Sequence, residues 1–367
     1  MPGSPRDLLI ALNAAGHDRD VVCRLGRAVE RWRQADGRAD TAALAAELGV
    51  APGALARALE LRAGAAALAA AERRRAAALG ARIVTRLDAG YPPVVADLEL
   101  PPPVLYLRGA IPDRPSVAIV GARRMDAYGR EAATLFGREL AAAGVLVVSG
   151  FARGVDATAH AAALAADDGA TVAVLGCGLD VDYPRGHRRL AAAIAEHGAV
   201  LSEFPCGCPP LDHHFPIRNR VIAALAIGTL VVQATLRSGS LVTARLALEL
   251  GRDVWAVPGR IFDAKGEGPN GLIRDGAGLV QHPRDLLAAL PLAARERLRP
   301  LASAPGVALR SASGRLLARL VPGEAQSPEG LAAAVGEGLE ATLAALLELE
   351  IGGQVRRLPG GVYTRCA

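Results

Sequence analysis

Aromatic side chains make up only 3% of this 367-residue chain, and Lys265 is the one lysine among 42 Lys and Arg. With so few rings, Leu, Val, Ala and Ile must do most of the core packing. The five cysteines (Cys23, Cys177, Cys206, Cys208 and Cys366) are odd in number and scattered. That excludes a disulfide scaffold and fits a reduced, cytoplasmic chain. No apolar run reaches the ~18 residues of a membrane span. Met1–Leu12 lacks a basic region followed by an apolar run, so no secretory leader is expected. Charge is only mildly unbalanced, at +5 with a pI near 9.2. This permits a polyanionic partner without demanding one. The arginine excess fits a GC-rich genome as readily as phosphate recognition.

What is abundant is apolar aliphatic residues and glycine: 51% hydrophobic residues and 41 Gly. Those numbers suit one to three domains of α/β type. In residues 1–80, Leu8, Leu9, Leu12, Leu25, Leu44, Leu48, Leu55 and Leu59 recur at helical spacings. This segment reads as a helical module (SAM- or helix-hairpin-helix-like) for packing or dimerisation. From residue 81 the character changes, with a strand at Arg82–Val84, a proline-rich connector and a strand at Val104–Leu107. Then strand, glycine turn and helix repeat. Apolar strands are expected at Ser116–Val120, Val145–Val148, Thr171–Leu175, Ala199–Leu201, Thr229–Val232 and Asp253–Val257. Helices are expected at Arg130–Ala143, Asp156–Ala166 and Ser240–Leu250. The alternation predicts a doubly wound, mostly parallel sheet over 81–290, buried on both faces. Residues 291–312, with three prolines, read as a linker. Residues 313–367 show three helices followed by a hairpin, which is winged-helix order.

In a parallel sheet, ligands gather at the carboxyl ends of the strands. Five polar, glycine-containing turns are expected there: Gly121-Ala122-Arg123-Arg124; Ser149 to Asp156, with Gly150 and Arg153; Gly176 to Asp180; Phe215 to Arg220; and Ser238-Gly239-Ser240. Such turns expose backbone N–H groups beside helix N-termini and suit phosphate. Arg123 can grip a phosphate with both arms of its guanidinium. Arg218 and Arg220 cannot share one buried helical face, so at least one should reach a site or solvent. Asp156 is positioned to cap a helix and pair with His160 across one turn. Five such turns exceed the needs of one nucleotide, whereas a polynucleotide backbone would use several. Cys206-Gly207-Cys208 with His213 and His214 has spacing poor for zinc, so the segment reads as an ordinary loop and no metal is expected.

Taken in order, Ile119-Val120-Gly121-Ala122-Arg123, Ser149 to Asp156 with Ala159-His160, Gly178-Leu179-Asp180, Phe215-Pro216-Ile217-Arg218-Asn219-Arg220, Ser238-Gly239-Ser240-Leu241 and Pro258-Gly259 resemble the DNA-processing protein A family (DprA, also called Smf). The resemblance runs from about residue 80 to 280. It implies a Rossmann-like domain that binds single-stranded DNA and helps load the RecA recombinase in natural transformation, acting as a homodimer. It implies no catalysis and no cofactor. The implied DNA-binding residues are Gly121, Arg123, Gly150, Phe215, Arg218, Asn219, Arg220, Ser238, Gly239 and Ser240, with Arg124 and Arg153 in the same turns. Relatives often carry a basic residue shortly before the Phe-Pro pair. Here the stretch is Leu211-Asp212-His213-His214, where His213 or His214 would have to supply the charge.

Two other functions compete. A phosphoribohydrolase of the lysine-decarboxylase-like (LOG) type needs a catalytic glutamate at the position where Leu246 stands. A nucleotide-sensing regulator with a winged-helix output would need a basic reading helix. Residues 306–367 instead hold Arg310, Arg315, Arg319, Arg356, Arg357 and Arg365 against Glu324, Glu329, Glu337, Glu340, Glu348 and Glu350, a net charge of zero. A protein-interaction or accessory role fits this module better, with Arg356 and Arg357 as its best DNA-contact candidates.

Overall fold

A computed structural model describes residues 4–16, 18–29, 41–300, 312–321, 323–351 and 353–366. It divides into two units, 1–299 and 300–367. In the first, nine strands form one sheet: β1 (Ala81–Thr85), β2 (Val104–Gly109), β3 (Ser116–Val120), β4 (Leu146–Ser149), β5 (Thr171–Leu175), β6 (Ala199–Ser202), β7 (Gly228–Val231), β8 (Asp253–Ala256) and β9 (Gly278–Leu279). Their order is β1-β2-β6-β5-β4-β3-β7-β8-β9. The pairs β1/β2 and β2/β6 are antiparallel and all others are parallel. The expected mostly parallel, doubly wound sheet is what forms.

Alternation along the strands explains the two covered faces. On β3, Val117 and Ile119 pack with Ala133, Phe136 and Leu140 of the helix Ala127–Ala142, and with Ala159 of the helix Val155–Leu164. Ala118 and Val120 face the other way, towards Val221 and Ile222 of the helix His214–Leu225 and Ala244 of the helix Gly239–Glu249. The N-terminal helices are not a detached module. Leu8, Leu9, Leu12, Leu25 and Leu55 share a core with Val104 and Tyr106 of β2, and so extend the sheet's packing.

The first part of the stretch expected as a linker, 291–312, is bonded to the sheet domain. Arg297 pairs with Asp113, and Arg299 with Asp168, tying this stretch to the sheet domain. Residues 301–311 lie outside the described residues. In the second unit, helices Ala312–Arg319, Pro328–Val335 and Leu339–Ile351 precede an antiparallel pair, β10 (Val355–Arg357) and β11 (Tyr363–Arg365). Ser327 caps the middle helix by accepting from Gly330 N at 3.1 Å, and Gly336 ends it in the left-handed region. Leu316, Leu331, Leu346, Leu349, Val355 and Tyr363 form the core of this winged helix. Its third helix exposes Leu339, Leu343 and Leu347.

Candidate functional site

The chain runs from β3 outward through β4, β5 and β6, then returns to place β7 on the other side of β3. Loops from the carboxyl ends of β3 and β7 therefore diverge and leave a crevice, the usual ligand position in open α/β sheets. A cavity of about 500 Å³ lies there, lined by Gly121, Ala122, Arg123 and Arg124 after β3 and by Thr235, Ser238, Gly239 and Ser240 after β7. Phe215, Arg218 and Asn219 contribute from the helix His214–Leu225, and Lys265 from the turn after β8.

Local sequence sets each part. Phe215, Arg218 and Asn219 stand at i, i+3 and i+4, so one helical face presents all three. The Arg123 guanidinium lies over the Phe215 ring at 4.9 Å from its centroid. A Cβ on Gly121 would stand 2.7 Å from Val155 Cγ2 and 3.0 Å from Gln233 O, so a larger residue there would force its neighbours to shift. Ser238 caps the helix Gly239–Glu249, with its hydroxyl 2.7 Å from that of Ser240. Ser238 Oγ accepts from Ser240 N, and the positive end of that helix, whose residues Ser238–Ser240 line the crevice, favours an anion.

Arg218 forms the floor. It is buried, and it donates to the carbonyls of Gly150 (2.7 Å) and Val174, and to Asn219 Oδ1 (3.2 Å). Gly150 lies behind it, where a Cβ would meet Arg218 and Asp156 at 2.8 Å. Burial pushes the Asp156 carboxyl up to about 6, against the pull of Arg218. Burial also lowers Arg218 to about 10, opposed by Asp156. Lys265 pairs with Asp126 at 3.5 Å. The cationic lining thus comprises Arg123, Arg124, Arg218 and Lys265, against Asp156 and Asp212.

Of the fourteen residues expected at the site, Gly121, Arg123, Arg124, Phe215, Arg218, Asn219, Ser238, Gly239 and Ser240 line the cavity, whereas Gly150, Arg153, His213, His214 and Arg220 do not. Arg220 follows Arg218 by two residues, about 200° around the helix. It turns inward to Glu203 Oε2 at 2.8 Å. Arg153 is exposed outside the cavity. His214 is buried and stacked on Phe204 at 4.1 Å, and His213 is exposed beside it. Neither histidine lines the cavity, whereas the preceding Asp212 does. The five turns do not all converge. The turn after β5 lines a separate cavity of about 310 Å³, with Leu179, Asp180 and Tyr183. Lys265 and Thr235 were missed by sequence reasoning. The available signal was a lone lysine in an otherwise arginine-only chain.

The expected Asp156–His160 pair does not form. Asp156 Oδ2 accepts from Ala152 N at 3.2 Å. His160 Nδ1 lies 2.6 Å from Thr171 Oγ1, whose hydroxyl donates to Val147 O. Nδ1 must therefore carry the hydrogen, and His160 braces the sheet as a neutral ring. Burial drives its pKa down to about 3. The unfolded chain takes up this proton below about pH 6.5 and the folded one only near 3, so stability falls as pH drops through that window. His160→Asn lacks this loss. Urea unfolding of both proteins should show their stability gap narrowing on acidification by up to about 1.4 kcal/mol per pH unit. A constant gap between pH 7 and 4.5 would rule out the neutral buried ring.

The model of the family described as DNA recombination-mediator protein A matches residues 82–291, and that of the DprA winged helix domain matches 300–361. The chain belongs to this family. It is 42% identical over 285 residues to protein Smf of Escherichia coli, covering 75% of each chain. It is also 42% identical to DNA processing protein DprA of Streptococcus pneumoniae, over 55% of this chain and 72% of that one. The X-ray structure of the pneumococcal DprA superimposes with a TM-score of 0.68 at 33% identity, covering 79% of this chain and 99% of that one. DNA processing protein A of Helicobacter pylori, whose structure concerns its single-stranded DNA binding mode, matches with a TM-score of 0.50 at 31% identity, over 56% and 93%. Family membership accounts for the order of motifs from Gly121 to Gly259, and the crevice between β3 and β7 is where most of them meet.

Proposed function

We propose that this protein binds single-stranded DNA without sequence preference through the β3–β7 crevice and hands it to the RecA recombinase, working in the cytoplasm as a homodimer and without catalysis. The observation that carries the reading is the convergence of Arg123, Phe215, Arg218 and the Ser238–Ser240 helix start in one crevice. Arginines and the positive end of a helix hold phosphates, and Phe215 offers a ring to a base. The structure of the Helicobacter relative concerns single-stranded DNA binding, and the matching family is described as a DNA recombination mediator, which supports delivery to a recombinase as the role. The catalytic rival lacks its carboxylate, since Leu246 packs against the core rather than lining the cavity. In the winged helix, the exposed Leu339, Leu343 and Leu347 beside Glu340 favour a protein contact over a DNA-reading helix.

Titration of labelled oligo-dT across 50–300 mM salt tests this directly. The logarithm of the association constant should fall linearly with the logarithm of salt, with a slope of about −0.7 per phosphate held. The same sample should release no base from nucleoside monophosphates. A flat salt profile, equal affinity for duplex, or base release lost in Arg123→Ala would overturn the reading.

A further inference from the structure

Between the cavity-lining residues Thr235, Ser238 and Lys265, two loops rise from the ends of β7 and β8. At their tips Leu236 is 66% exposed, Ile261 80% and Phe262 97%. Phe262 is the most exposed large hydrophobic residue among the described residues. The chain has only five Phe, and Phe136, Phe151 and Phe204 are buried while Phe215 lines the cavity.

The loop that carries Phe262 is built, not loose. Asn270 clamps its base in both directions: Gly259 N donates to Asn270 Oδ1 at 2.9 Å, and Asn270 Nδ2 donates to Gly259 O at 3.0 Å. Asp263 N donates to Arg260 O at 3.1 Å, closing a turn with Ile261 and Phe262 at its centre. Asp263 Oδ1 accepts from Lys265 N at 2.9 Å, and Ala234 N donates to Lys265 O at 2.8 Å, which fixes the loop to the end of β7. Central turn positions ordinarily hold Gly, Asn, Asp or Ser. Here two large apolar side chains are held out into solvent instead. Arg260 is exposed next to Ile261, Arg237 is exposed next to Leu236 on the neighbouring loop, and the Tyr128 hydroxyl donates to Pro258 O at 2.7 Å.

We propose that Phe262, with Ile261, is a stacking platform for bases of the same single strand whose phosphates occupy the crevice. The proposal rests on the single-strand reading above and adds where the strand leaves the crevice. Charge and continuity select this occupant. An aromatic side chain sharing its turn with the exposed Arg260, in a loop that leads to cavity-lining Lys265, fits bases on a phosphate backbone, since stacking tolerates any base and the cations hold phosphates. Lys265, which lines the cavity, follows Phe262 by three positions, a reach of at most about 10 Å, or roughly three nucleotides at stacked spacing.

The test compares wild type with Phe262→Ala and Phe262→Trp, using dT oligomers of increasing length and length-matched oligomers with abasic residues. The shortest oligomer that binds should show the same Kd for all three proteins. Longer ones should bind wild type and Phe262→Trp about 5- to 20-fold more tightly than Phe262→Ala, and abasic substitution should erase that advantage. The salt slope should not change, because stacking releases no counterions. If Phe262→Ala binds every length like wild type while Arg123→Ala fails, the platform is wrong and the crevice reading stands. If wild type binds no single strand, both readings fall. If sedimentation shows that Phe262→Ala splits a dimer, the tip is an interface between copies and the platform is refuted.

Discussion

Glu203→Gln should lower the melting temperature of this protein by roughly 5–10 °C, the largest stability effect expected of any single isosteric change. Glu203 is 1% exposed and lies between two arginines that are themselves largely buried. Arg220 Nη2 donates to its Oε2 at 2.8 Å, and Arg19 Nε stands 3.6 Å from the same oxygen. Arg19 also donates to the Asn13 side chain at 2.6 Å. Burial lowers the Arg220 guanidinium, but Glu203 more than offsets this and holds it above its usual value. Burial also pushes the neighbouring Cys23 thiol up to about 11. Glutamine keeps the shape and removes the charge, leaving two guanidinium groups without a counter-ion. Breaking a buried pair in this way costs about 3–5 kcal/mol. A unit of about 300 residues shifts by roughly 1.5–2 °C per kcal/mol.

The same network is incompletely bonded: Glu203 Oε1, Arg19 Nε and Arg220 Nη1 have no hydrogen-bond partner. Replacing all three residues by apolar ones of similar volume (Arg19→Met, Glu203→Leu and Arg220→Met) should therefore recover most of the lost stability. Calorimetry on the single and triple variants decides the matter. An unchanged melting temperature in Glu203→Gln would mean that the three charges do not depend on one another. Because Arg220 shares a helix with Phe215, Arg218 and Asn219, the network also anchors the helix that brings these three side chains to the crevice.

Arg123→Ala should weaken single-strand binding by about tenfold or more at moderate salt, and Arg356→Ala by less than about threefold. Arg123 is exposed at the crevice, with Phe215 beneath it and no ion pair among the described residues. Its removal should leave the melting temperature nearly unchanged while deleting a charge-assisted contact of about 1.5–3 kcal/mol. Arg356 stands on β10 in a unit whose arginines and glutamates balance. Anisotropy titrations run beside melting curves separate the outcomes. If both variants fold normally and Arg356→Ala is the weaker binder, the winged helix holds the DNA.

The sequence by itself determined the architecture of the sheet domain, because period-2 strands and 3.6-residue helices are local properties. The strand expected at Thr171–Leu175 forms at those residues, and the helix expected at Ser240–Leu250 forms one residue earlier. It also determined that Phe215, Arg218 and Asn219 share a face, since helical spacing fixes that without reference to the rest of the chain. Tertiary structure decided which turns meet. β3 and β7 are hydrogen-bonded neighbours although more than 100 residues separate Val117 from its partner Gly228. Such pairing follows from burying the whole sheet, and no local pattern encodes it. That pairing brings Gly121–Arg124 to Ser238–Ser240 and leaves the turn after β5 at another cavity. It likewise decided the fates of Arg220 and His214, both expected in the sequence at the DNA-binding site. One found a buried carboxylate and the other a buried ring, because a buried charge or imidazole settles where a partner offsets its desolvation, and that partner can come from anywhere in the chain.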